Sequence, residues 1–176
     1  LVKDPQGTYH ITPGCSPENQ IIMPNGDRPQ LADDCTVDIA VAREVHQILI
    51  ELGEQFGLPS DQIAKWKRIR ENIAPYRINE DGALAEWAPK KYKDVYNHRH
   101  NSHLYPVFPG YEFFQSGSDP ELRKAAHVAL EKRIENGHLI NHPYVCGHGI
   151  VFAAQMASRL GDVKNVRALL EKIATG

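Results

Sequence analysis

At 176 residues, with 41% hydrophobic and 24% charged side chains, the chain has the size and composition of one folded domain, which excludes a disordered tract. A formal charge of -2 with both signs interspersed leaves no basic stripe to neutralise phosphates, so no nucleic-acid partner is expected. The apolar runs around Val37 to Ile50 and Cys146 to Met156 are broken by Asp38, Arg43, Glu44 or His148 and are too short to cross a bilayer, so no membrane span is expected.

In chain order, Leu1 to Gly7 lacks an initiator Met, a basic stretch and an apolar stretch, so the chain reads as a segment of something longer. Leu1 to Asp34 is rich in Gly, Pro, Asn and Asp without a sustained period, which predicts a long irregular segment with a short strand near Gln20 to Met23. Thr36 to Phe56 carries Val37, Ile39, Val41, Val45, Ile48, Leu49, Leu52 and Phe56 at mostly helical spacing, and Gly57-Leu58-Pro59 stops it. Ser60 then reads as the N-cap of a second helix with Ile63, Trp66, Ile69 and Ile73 on one stripe, folded back on the first.

After Pro75 the period changes. Tyr76 to Ile78 and Leu84 to Trp87 flank the turn signal Asn79-Glu80-Asp81-Gly82, predicting a small β-hairpin that projects from a helical body. Asp119-Pro120-Glu121 is a helix start with a cap, a first-position proline and an acid in the first turn, and Gly137 is its stop. Two more helices are predicted, Gly147 to Leu160 and Asp162 to Ala174. The helix joins at Gly57 and Gly161 are tight, whereas the segments 1–34, 76–86 and 92–118 are long and polar, so one rim of the helical body is expected to carry function.

Three cysteines, Cys15, Cys35 and Cys146, are odd in number and lack a C-x-x-C pair, which fits neither a disulfide framework nor a zinc knuckle. Free thiols are the reading taken, with Cys15 and Cys35 the pair an oxidising compartment would bridge. His98, His100 and His103 form an H-x-H-x-x-H pattern, but the spacing is not the helical i, i+4 of zinc ligands and Asp94 is the one close carboxylate, so no metal and no cofactor is expected. Interleaved with Arg99, Asn101 and Ser102, these histidines read instead as a surface for a small polar ligand. Glu18, in Pro17-Glu18-Asn19, is a solvated loop acid on its own. Folded against apolar walls, its pKa would rise and suit a general acid. Glu86-Trp87 offers either a platform for a sugar ring or packing against the helices. His138, His142 and His148 carry no catalytic spacing.

Taken together, Ser16-Pro17-Glu18-Asn19, Gly82-Ala83-Leu84-Ala85-Glu86-Trp87, and His98-Arg99-His100-Asn101-Ser102-His103-Leu104-Tyr105-Pro106 with Pro109-Gly110 closely resemble the catalytic domain of glycoside hydrolase family 95, in that family's order. The helix ending Ala157-Ser158-Arg159-Leu160-Gly161-Asp162 is similar to the family's G-W-S-L-A-W-K helix with its A-R-L-G-D end, with His148 and Gly149 in place of the usual Trp and Ser. The resemblance implies an all-α fold, part of an (α/α)6 toroid with a small β-hairpin and long active-site loops, with residues 1–176 forming the C-terminal part of its catalytic domain.

It further implies inverting hydrolysis of a terminal α-L-fucoside, or of a related α-L-galactoside, in an oligosaccharide or glycan. Glu18 would be the general acid, with Arg99 and His100 holding the sugar. The family's base, an Asn-x-Asn pair polarised by an Asp in an H-P-P-F-Q-I-D-type segment, is expected outside the chain, that segment beginning shortly after Gly176. An isolated segment is then expected to be inactive. It should also expose apolar helix faces to the remainder of the same polypeptide or to another chain. Family habit places such enzymes in the periplasm or outside the cell. The rival expectation is a non-catalytic carbohydrate-binding or interaction domain on the same helical frame.

Overall fold

A computed structural model describes residues 1–137, 139–140 and 147–175, so the readings made on His138, His142 and Cys146 lie outside the described residues. Among the described residues there are five α-helices: α1 Thr36–Gln55, α2 Ser60–Glu71, α3 Pro120–Asn136, α4 Gly147–Leu160 and α5 Val163–Thr175. Short 3-10 turns lie at Ser102–Leu104 and Glu112–Phe114. The chain is mostly helical, as an incomplete helical toroid requires, and no described helix is long and apolar enough to cross a membrane.

The helix boundaries follow local chemistry. At α3, Asp119 caps the helix by accepting from the Glu121 amide at 2.8 Å, Pro120 fills the first position and Gly137 ends it. Helix α2 begins at Ser60, with Pro59 rather than Ser60 in the capping position, and Ile73 lies beyond its end. Gly57, at φ 66°, reverses the chain between α1 and α2, and Gly161, at φ 75°, does so between α4 and α5. Each pair packs together, and Gly53 lets α1 approach the Trp66 and Ile63 side chains of α2.

The N-terminal segment is irregular, as its composition predicts, but holds two short antiparallel pairs, β1 Val2–Lys3 with β2 Tyr9–His10 and β3 Gly14–Cys15 with β4 Leu31–Ala32. The strand expected near Gln20 to Met23 is reduced to a single bridge between Ile22 and Lys93. At 79–82 the turn forms and Ile78 bridges Leu84. Its second arm does not project, however, because its apolar residues have neighbours on every side: Ala83, Leu84, Ala85 and Trp87 are at most 1% exposed.

That buried arm is the spine of the molecule. On one side Ala85 donates to the Arg77 carbonyl at 2.8 Å, while Leu84 donates to the carbonyl of Ala125 in α3 at 2.9 Å. On the other, the Thr36 amide donates to the Glu86 carbonyl at 3.0 Å, and the Thr36 hydroxyl to the Ala85 carbonyl at 2.6 Å. The main core gathers Leu84, Leu104, Val107 and Phe113 against the inner faces of α3, α4 and α5, and a smaller cluster packs Ile21, Ala32, Cys35 and Tyr92 on Trp87. Cys35 is buried and Cys15 exposed, both as free thiols.

Helix α1 leaves an apolar face open, as expected of a segment whose helix faces lack a cover. Its buried side is Ile39, Ala40, Ile50 and Gly53, whereas Val41, Val45, Ile48, Leu52 and Phe56 form a stripe open to solvent. Periodicity predicts the helix but does not say which apolar face this chain covers.

Candidate active site

The loop of Glu18 and the loop of Arg99 and His100 meet although they lie about eighty residues apart in sequence. Ser16 and Asn19 are buried and anchor their loop, with the Asn19 amide closing a turn onto the Ser16 carbonyl at 3.1 Å. Between them Glu18 stands at φ 58°, a left-handed conformation that costs a non-glycine residue about 1 to 3 kcal/mol. This conformation turns the carboxylate away from the anchored backbone and out of the protein; the side chain is 56% exposed.

There it meets two cationic or donor groups. The Arg99 guanidinium touches one carboxylate oxygen, and His100 Nε2 lies 2.9 Å from the same oxygen. His98 supports both loops: its Nε2 bonds the Glu18 carbonyl at 3.1 Å, and its Nδ1 accepts the His100 amide at 3.2 Å, an arrangement satisfied by a neutral ring protonated at Nε2. Burial, and after it the charge of Arg133, holds His98 below the ordinary histidine range.

The hydrogen bond from His100, and after it the Arg99 charge, holds the Glu18 carboxyl below the usual carboxylate range. This corrects the expectation of a desolvated, raised acid: the loop does not fold against apolar walls, so at neutral pH Glu18 is ionised here. The sequence-predicted trio of Glu18, Arg99 and His100 is thus brought together, with the acid rather than a sugar occupying the cationic fork.

Beneath the two loops lies a buried ionic network. Glu86, 2% exposed, accepts from the Ser16 hydroxyl at 2.6 Å and is in direct contact with the Arg133 guanidinium of α3. Arg133, 1% exposed, also donates to the His98 carbonyl at 3.3 Å. Burial would push Glu86 up, but the Arg133 charge and the Ser16 bond outweigh it and hold the carboxyl below its ordinary value. His103, fully buried 4.0 Å from Glu86, is pushed down to about 4 by desolvation. The sugar-platform reading of Glu86-Trp87 is therefore replaced by packing: neither side chain reaches solvent.

Sequence reasoning missed Arg133, although a signal exists. Ala126, Ala129, Leu130 and Arg133 fall on one helical stripe, and an arginine inside an apolar stripe needs a buried partner.

The three loop histidines do not converge as a ligand set, since His103 faces Glu86 while His98 and His100 face Glu18. Among the described residues, His127, Glu131 and Asp162 are close enough to hold an ion together. There, His127 bonds Asp162 at 2.9 Å while Asp162 caps α5 through the Asn165 amide at 3.0 Å, so the pair staples α3 to the α4–α5 turn.

Beside His100 opens a mostly apolar cavity of about 230 Å³, lined by Val37, Tyr105, Phe108, His148, Phe152 and Met156. The His148 ring lies 5.7 Å from that of His100 and 4.3 Å from that of Phe152. The next residue, Gly149, lies directly under the loop: a Cβ there would collide with the Arg99 carbonyl oxygen, and its own carbonyl accepts from Asn101 at 3.3 Å. A side chain at this position and the present placement of Arg99 exclude each other.

A scan against protein families matches residues 1–175 to the glycosyl hydrolase family 95 catalytic domain. Among curated proteins, Alpha-L-fucosidase 2 of Arabidopsis thaliana is 35% identical over 138 residues, which cover 78% of this chain and 16% of that relative. The chain therefore spans about a sixth of the length of the relative it matches.

Proposed function

Because the chain belongs to the glycosyl hydrolase family 95 catalytic domain family, we propose that it supplies the acid half of an exo-glycoside hydrolase site acting on terminal α-L-fucose or α-L-galactose, with inversion. The observation that carries this reading is the convergence of Glu18 with Arg99 and His100 from two distant loops. In this proposal Glu18 protonates the leaving glycosidic oxygen, and Arg99 and His100 hold hydroxyls of the sugar. The water-activating base belongs to the rest of the polypeptide, roughly 6.5 to 9.5 Å from the acid in inverting enzymes. Export of the whole protein, which the resemblance implies, is part of the same proposal.

An ionised Glu18 cannot donate a proton, so the resting contacts must change when substrate binds. A sugar whose hydroxyls take over the Arg99 and His100 donors removes from Glu18 the hydrogen bond and the charge that lower its pKa, and also excludes water. Both changes raise the carboxyl toward the range of a general acid. The cationic fork thus acts as a latch that loads the acid when the ligand arrives.

The test uses the full-length protein carrying this chain, assayed on an α-L-fucosyl disaccharide and on α-L-fucosyl fluoride, whose leaving group needs no proton. Glu18→Gln is expected to lower kcat/KM on the disaccharide about 10²- to 10⁴-fold and to change the fluoride rate far less. Equal rates on the disaccharide before and after substitution would reject Glu18 as the acid. The first-formed sugar, followed by NMR, is the β-anomer if the reaction inverts; the α-anomer would reject inversion. The parallel galactoside pair decides between the two sugars. No release of either, with binding of the free sugar intact, would favour a non-catalytic carbohydrate-binding domain.

A further inference from the structure

We propose that Glu86 and Arg133 are positioning residues: their buried ion pair fixes the spacing between the Glu18 loop and the Arg99–His100 loop. Neither touches the surface on which a sugar would sit, since both are at most 2% exposed. Each has one arm on the other and one arm on a different loop. Glu86 takes the Ser16 hydroxyl, two residues before the acid, and Arg133 takes the His98 carbonyl, one residue before Arg99. The chain of bonds from Ser16 through Glu86 and Arg133 to His98 is therefore a strut beneath the constellation, parallel to the contacts that Glu18 makes above it.

The strut is itself anchored. The Glu86 amide donates to Asp94 Oδ1 at 2.7 Å, and its carbonyl accepts from Thr36 at the start of α1 at 3.0 Å, so the residue is pinned on both sides of its Cα. Asp94 is in turn bonded by Asn79 Nδ2 at 2.7 Å. At the other end, Arg133 projects from the core-facing stripe of α3.

Burial of an ion pair is poor evidence for stability, because desolvating two charges offsets most of their attraction and a well-packed apolar pair often does as well. An apolar pair in this position, though, would leave Ser16 and His98 free to shift with their loops. What the charges add is directional bonding to one atom of each loop. Sub-ångström placement of this kind matters where a proton must reach a leaving oxygen.

This inference rests on the reading of Glu18 as the acid only for its effect on turnover, so its test has one arm that does not involve catalysis. In the full-length protein, hydrogen exchange is followed by mass spectrometry in peptides covering 14–20, 97–103 and 163–175. Glu86→Gln is expected to speed exchange several-fold in the first two together and leave the third unchanged. Two milder variants keep the test open if that one folds poorly. Ser16→Ala should loosen 14–20 alone, and Arg133→Lys, which keeps the charge but loses the forked reach to His98, should loosen 97–103 alone.

The catalytic arm compares substrates. Glu86→Gln and Ser16→Ala, which both release the acid loop, are each expected to lower kcat on the disaccharide at least tenfold more than on the fluoride, because misplacing the acid matters only where a proton is needed. Loss of both rates in equal proportion, or exchange that rises throughout the protein, would show a merely structural pair and overturn the proposal. Unchanged exchange in both loops would overturn it as well. A silent Glu18→Gln, with the two loops still loosening together, would reject the acid and leave the strut standing.

Discussion

Acidification should weaken this chain in a window set by His103. The side chain is buried in the network and its pKa lies at about 4 in the folded protein, against 6.5 ordinarily. Between those values the unfolded chain takes up a proton that the native chain refuses, so stability falls as pH drops from about 6.5 to about 4 and this contribution is flat below. At about 1.36 kcal/mol for each pKa step, the difference sets an upper limit of about 3 kcal/mol, of which about 2 kcal/mol is gone by pH 5.

Other groups act in the same range. His98 is also held low and adds to the loss, whereas His10 is held high by Asp34 and opposes it, since its contribution is present at low pH and fades as pH rises through its folded value. Glu86, lowered in the folded state, withdraws its own contribution only below about 4.5. The measurement is therefore a difference: urea denaturation of the wild-type chain and of His103→Gln at pH 7.5, 6.5, 5.5 and 5.0. The variant cannot titrate and should lose about 2 kcal/mol less between the two extremes. Identical pH dependence in the two proteins would refute the assignment, whatever the variant's absolute stability.

Two further outcomes are expected. Gly149→Ala should destabilise the protein by about 1 to 3 kcal/mol in thermal melts, because its Cβ meets the Arg99 carbonyl and that clash outweighs a helix-propensity gain of about 1 kcal/mol; a higher Tm would contradict the close packing of α4 beneath the loop. Placing Lys at both Val45 and Leu52, in the exposed stripe of α1, should shift the 176-residue chain toward monomer in light-scattering chromatography while moving its stability by no more than about 0.5 kcal/mol per site. Unchanged association would assign the contact to another face.

The helices were legible because their stripes, caps and glycine stops are local properties: α1, α3, α4 and α5 lie where periodicity, Asp119-Pro120 and the stops at Gly57, Gly137 and Gly161 place them. The surface trio was legible too, through its resemblance to a family's motifs. What the sequence hid is tertiary. Glu86-Trp87 reads either as a sugar platform or as packing until one knows that Arg133 lies against the Glu86 carboxylate, and the direction of the Glu18 pKa depends on which groups its loop folds against. The open side of α1 is a third case, since a stripe of Val41, Val45, Ile48 and Leu52 looks the same whether or not anything packs on it.

The long reach between the two loops also matters while the protein is being made. Ser16 waits 70 residues for Glu86, and Glu18 waits 81 for Arg99. At roughly 5 to 20 residues per second on the ribosome, the acid loop emerges ~4 to 16 s before its cationic partner exists, and the strut residue Arg133 follows later still. During that interval the segment through 34 is held by its short strand pairs and by local bonds such as those of His10 and the Ile11 amide to Asp34, without the contacts to Glu86 and Arg99. The constellation should accordingly form late in synthesis, after α3 has left the exit tunnel, and substitutions that slow this closure would appear first as lower yield of active protein.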